Sequence, residues 1–166
     1  MKYWQGFLLY LTAFILQPML YNLIPALGGN LNLLLCLTVV VTFMYDDTLM
    51  GILYGFLFGL AWDAYYGMYV GPGTLALTAS GIAVLFLKGF VNKENVLNGI
   101  VGTPLFTWFY ASVYWVIYYF LDSPYSYLYA MKSLPLQLLF NGIAGAALYF
   151  ILLKRVIKHR RDRYFK

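Results

Sequence analysis

Charge is what this sequence has least of. Asp, Glu, Lys and Arg make up 10% of its 166 residues, against roughly a quarter in a soluble domain. Too few charges remain to clothe a water-facing surface, which excludes an ordinary soluble globular protein. There is one cysteine, Cys36, inside an apolar run, so no internal disulfide is possible. The one histidine, His159, lies in a basic C-terminal segment. No apolar stretch holds a second carboxylate beside its first. Neither a metal-ligand cluster nor a nucleophile and base pair can therefore be assembled within a membrane, and no catalytic, cofactor-binding or metal site is expected. Nucleic acid is excluded as a partner for want of a fold that could present the basic residues. A cleavable signal is not expected either, because the first apolar run, Trp4 to Leu27, exceeds a typical signal core and lacks a small-residue cleavage site.

What is present is apolar: 63% of the residues are hydrophobic and 20% aromatic. The sequence divides into five or six apolar stretches of roughly 15 to 25 residues, and a helix needs about 20 to cross a hydrocarbon layer about 30 Å thick. These stretches are continuous and lack the alternation of a membrane barrel, so they read as helices. The expected spans are 4–24, 31–45, 49–70, 74–91, 96–121 and 134–153. The fold class is then an all-α integral membrane protein, a six-transmembrane-helix bundle over residues 1–153 followed by a basic cytoplasmic tail over 154–166. With six spans, ten of the eleven lysines and arginines lie on one side and only Lys132 on the other. The positive-inside rule then makes both termini cytoplasmic. The second span is short, about 22 Å of helix; without it Lys2 would lie outside and the split would be nine to two, so charge counting prefers six spans over five.

Three patterns are candidates for function. In the third span Gly51, Gly55, Gly59, Asp63, Gly67 and Gly71 recur every fourth residue. That spacing drifts slowly round a helix and leaves a small-residue groove, open either to a helix of the same bundle or to a partner's helix. Asp63 is the one acidic residue embedded in an apolar span, where a charge costs about 2.5 to 3.5 kcal/mol on insertion scales. Counted from the external ends of their spans, Asp63, Asn141, Gln17 and Ser112 all fall about 10 to 14 Å deep. The expectation is one buried polar node of these four, serving as a fold-fixing device, a proton or ligand site, or a partner contact. The third pattern is the tail, where Lys154, Arg155, Lys158, Arg160, Arg161 and Arg163 suit an anionic cytoplasmic leaflet. Small residues at Gly142, Gly145, Ala146 and Ala147 predict a close helical neighbour for the last span. Tyrosines near the external ends, Tyr65, Tyr66, Tyr69, Tyr118 and Tyr119 among them, suit headgroup anchoring.

Leu31-Asn32-Leu33-Leu34-Leu35 opening a short second span, the Gly51, Gly55, Gly59, Asp63 row continued by Gly67 and Gly71, and Asn141-Gly142 before a basic end resemble the bacterial rod shape-determining protein MreD family. The resemblance covers about residues 30 to 155. It implies a non-enzymatic scaffold subunit of the cell-elongation machinery in the bacterial cytoplasmic membrane. The implied partners are an MreC-like bitopic protein and, indirectly, an MreB-like actin filament, a polymerising glycosyltransferase and a penicillin-binding transpeptidase. It also implies a fold similar to the substrate-binding subunit of energy-coupling-factor transporters. A small-solute, vitamin-like binding subunit is therefore the rival reading, and a pocket open to the outside would favour it.

Overall fold

A computed structural model describes residues 3–45, 49–90 and 96–164, the side chains of 96–100 and 154–164 excepted. Among the described residues the chain is all-helical: α1 (Tyr3–Leu23), α2 (Leu33–Met44), α3 (Leu49–Tyr66), α4 (Pro72–Lys88), α5 (Val96–Phe120), a single turn α6 (Tyr127–Ala130) and α7 (Leu134–Tyr164). Tyr3–Leu23 and Tyr127–Leu153 are long and apolar enough to cross a membrane, and Leu33–Met44 and Pro72–Lys88 are shorter apolar helices. Of the six expected spans, two pass by length and hydropathy among the described residues. Helices α2 and α4 are too short, while α3 and α5 carry tyrosine, tryptophan and glycine that dilute their hydropathy.

Helix α2 is the centre of the bundle. It packs against α1, α3, α4, α5 and α7, and every residue from Leu34 to Met44 is buried. Its continuous apolar run, with Val39, Val40 and Val41 in the middle, suits a helix with no exposed face. The core around it includes Tyr10 of α1, Met50, Tyr54 and Phe58 of α3, Leu77 and Val84 of α4, and Tyr149 and Leu152 of α7. The hydroxyl of Tyr10, which is fully buried, donates to Thr38 Oγ1 at 3.2 Å and lies 3.3 Å from the carbonyl oxygen of Gly51, tying α1, α2 and α3 together at mid-height.

The outward faces are apolar as well. Leu53, Phe56, Leu57 and Leu60 of α3 and Leu75, Ile82 and Phe86 of α4 are all exposed, as are Leu139, Ile143 and Ile151 of α7. A water-facing helix would carry polar residues there.

Several boundaries differ from expectation. Helix α3 stops at Tyr66, not at residue 70, so Gly67 and Gly71 lie in the connection to α4 and the helical glycine row ends at Asp63. Pro72 forces this, since it starts α4 at the one helical position where its missing N–H costs nothing. Gly71 before it has φ of +130°, a backbone that side chains rarely adopt. The last span and the basic tail form one helix, α7, without a break at residue 153.

Candidate functional site

A helix buried at both ends must have its terminal N–H and C=O groups satisfied by something other than water. At its first turn α2 draws on three elements. Asn32 is its N-cap and accepts from Leu35 N through Oδ1 at 3.0 Å. Gln17 of α1 accepts from Leu33 N through Oε1 at 2.8 Å. Asn141 of α7 accepts from Asn32 N through Oδ1 at 2.7 Å, and the Cys36 thiol leans on the same residue, 3.5 Å from its backbone oxygen. Both Gln17 and Asn141 are 2% exposed. At the other end, Lys88 of α4 is buried and donates from Nζ to Thr42 O at 2.9 Å and to Tyr45 O. A cation there complements the negative pole of α2. The sequence offered Lys88 only as a topology marker. No sequence signal marks this role, because it depends on α2 standing beside the last turn of α4.

The expected single polar node is not what forms. Asp63, 4% exposed, turns its carboxylate to the start of α4: Oδ2 accepts from Gly71 N at 3.0 Å, Thr74 N at 2.8 Å and Thr74 Oγ1 at 2.8 Å. It is an N-cap supplied by the preceding helix, its oxygen aimed at the positive pole of α4. A Cβ on Gly73 would land on Asp63 Oδ1, so only glycine leaves room for the carboxylate. Ser112 stands apart from all three, bonded to Trp108 O at 3.0 Å and Tyr127 OH at 3.2 Å. Gln17 and Asn141 therefore serve one helix end, Asp63 another, and Ser112 neither. Equal depth did not mean equal direction.

The glycine groove is filled from within. A Cβ on Gly51 would stand 2.9 Å from Thr42 N and 3.1 Å from Thr42 Cα, and one on Gly55 would stand 2.8 Å from Thr38 Oγ1. One on Gly59 would meet Thr74 Cα and Leu77 Cδ1, each at 3.0 Å. Helix α2 occupies the first two positions and α4 the third, which leaves no room for a partner helix on this face. Gly67 packs on its own Asp63 backbone, and Gly71 has nothing within reach. On α7, Gly145 is pressed against Thr103 and Gly142 against Pro104, so the predicted close neighbour is α5. The side chains of Lys154, Arg155, Lys158, Arg160, Arg161 and Arg163 lie outside the described residues.

Beside the capped start of α2 lies a cavity of about 780 Å³. It opens where α1, α3 and α5 end and α7 begins. Gln17, Asn32 and Asn141 form its floor, and Tyr110, Tyr114 and Tyr118 run up the α5 wall. Trp62 and Tyr69 face them from the α3 side, with Tyr69 edge-on to Tyr118 at 6.0 Å. The segment after α5 bends over the mouth, held by Trp115 Nε1 donating to Tyr125 O at 3.1 Å. Two of the tyrosines expected to act as headgroup anchors, Tyr69 and Tyr118, line this cavity, as do Tyr125 and Tyr129 of the segment after α5. Among the described residues no three of His, Cys, Asp or Glu are grouped to hold a metal ion. No family model matches the chain, and neither a curated protein nor a solved structure resembles it at a significant level.

Proposed function

We propose that this chain is a multi-pass, non-enzymatic subunit of the bacterial cell-elongation complex, embedded in the cytoplasmic membrane with both termini cytoplasmic, which helps organise peptidoglycan synthesis by holding partner membrane proteins. The observation that carries the reading is the surface: α1, α3, α4, α5 and α7 all turn large apolar side chains outward, so the chain reaches other proteins sideways through lipid. The MreD resemblance is supported from a second direction. Asn32 and Asn141, which come from its opposite ends, are hydrogen-bonded to each other. Gly51, Gly55 and Gly59 sit at helix contacts, and Asp63 caps a helix. These are the places where a shared bundle needs those residue types.

Contacts to an MreC-like bitopic protein fall on the outward faces, because the glycine row is already in use. The MreB-like filament, the glycosyltransferase and the penicillin-binding transpeptidase are reached through that complex, and the basic tail rests on anionic lipid. The test is extraction of the tagged chain from its native membrane in mild detergent, together with its depletion. Co-purification of a single-span protein with a large external domain, and rounding of depleted cells, is the expected result. Co-purification of an ATPase-coupled membrane subunit, with cell shape unchanged, overturns it.

A second reading, a small-solute binding subunit, is favoured by one observation: the cavity between α1, α3, α5 and α7. With both termini cytoplasmic, its mouth faces outward.

A further inference from the structure

We infer that the cavity takes a flat, ring-containing organic molecule that is cationic or uncharged, and rejects anions. The inference rests on the second reading above and names the ligand class for that site. Three features of the wall select this class.

The first is the arrangement of rings. Tyr110 and Tyr114 are stacked at 5.8 Å, Tyr114 and Tyr118 lie 4.8 Å apart, and all three belong to one wall of α5. Near the mouth Tyr125 and Tyr129 are nearly parallel at 5.0 Å, with 12° between their planes. Rings this close cover each other's facing sides and leave no gap between them, so a ligand meets the faces and edges turned to the cavity, where the negative quadrupole of a ring face attracts a cation or the positive edge of another ring.

The second is charge. Asp122 is the one acidic side chain in the wall, and among the described residues no lysine, arginine or histidine lines it. Lys132 is exposed and outside the wall. An anion entering this site would give up its hydration without gaining a cationic partner.

The third is an amide donor at the floor. Asn141 spends its Oδ1 on Asn32 N, so its amide nitrogen is the group it can offer a ligand. The side chain is 2% exposed and lines the cavity. A ring nitrogen or carbonyl oxygen of a ligand would accept from it. The volume, about 780 Å³, falls within the range of about 300 to 1,000 Å³ that such ligands occupy.

The test is equilibrium dialysis of the full chain in lipid nanodiscs, with empty nanodiscs as the blank, against three molecules of one shape: N-methylacridinium, acridone and acridine-9-carboxylate. The expected result is one saturable site per chain, with the cation and the neutral ring held at least about tenfold more tightly than the anion, the ratio set by an unpaired buried charge. Tyr114→Leu weakens the cation by about fivefold to thirtyfold, as the loss of a ring face dictates. Asn141→Asp keeps an acceptor for Asn32 N but removes the donor, so acridone is weakened while the cation is not. Equal binding of the anion overturns the ligand class and leaves a binding subunit standing. Absence of saturable binding by all three overturns both. Binding that neither substitution changes overturns the site.

Discussion

The sharpest energetic claim concerns Asp63. Replacing it with alanine strips the acceptor from three donors at once, Gly71 N, Thr74 N and Thr74 Oγ1, with Thr74 2% exposed. Each buried donor left unsatisfied costs about 1 to 3 kcal/mol, and loss of an N-cap alone costs about 0.5 to 2. Because the hydroxyl can turn towards another acceptor and the first turn of α4 can relax, the sum falls at about 3 to 5 kcal/mol. Asp63→Asn retains one oxygen for the same backbone donors and turns the other oxygen into a donor, so it costs about 1 to 2 kcal/mol. Gly73→Ala approaches the same contact from the other side, since its methyl displaces the carboxylate. It should resemble Asp63→Ala more than Asp63→Asn. The assay is helix content followed by circular dichroism on heating in a fixed detergent, where each kcal/mol moves the midpoint by about 2 to 4 °C for a chain of this length. If Asp63→Ala unfolds within a degree or two of the unsubstituted chain, or Gly73→Ala is silent, the capping argument is wrong.

Two further outcomes are expected. Lys88→Met leaves Thr42 O and Tyr45 O without their cationic donor and should lower stability by about 1.5 to 3 kcal/mol, the cost of a charged hydrogen bond, as read by the same melt. Gly59→Leu, whose first added carbon already reaches Thr74 Cα and Leu77 Cδ1, should separate α3 from α4 at a cost of about 1 to 3 kcal/mol or more, whereas Arg161→Ala should leave the midpoint unchanged. Equal effects from these two would contradict the packing of the glycine row.

The helices were legible in the sequence because their punctuation is strong. Pro25 with Gly28 and Gly29 ends the first, and Gly71-Pro72 opens the fourth. The polar residues were legible in one coordinate only. Counting inward from a span's end gives height, and Gln17 and Asn141 do serve the same helix end. It gives no azimuth, and at 100° per residue a side chain at the correct depth can face any neighbour. Asp63 faces α4 and Ser112 faces Tyr127 for that reason. The start of α4 did hold a clue, because a buried carboxylate eight to eleven residues before a Gly-Pro-Gly-Thr turn is within reach of that turn's N–H groups. The role of Lys88 was illegible because it depends on which helix stands beside α4. So was the cavity, which no single segment encodes.

The dependence of α2 on its neighbours has a consequence for biogenesis. Its leading end is satisfied by Gln17, already synthesised, and by Asn141, more than a hundred residues downstream; its trailing end waits for Lys88. On the multi-pass reading proposed above, this segment sits in lipid with part of its peptide groups bare while the ribosome is still making the chain, a state lipid does not tolerate cheaply. The translocation machinery or a membrane chaperone must shelter it until the final helix arrives, and products that terminate ahead of Asn141 should be cleared by membrane proteases instead of accumulating.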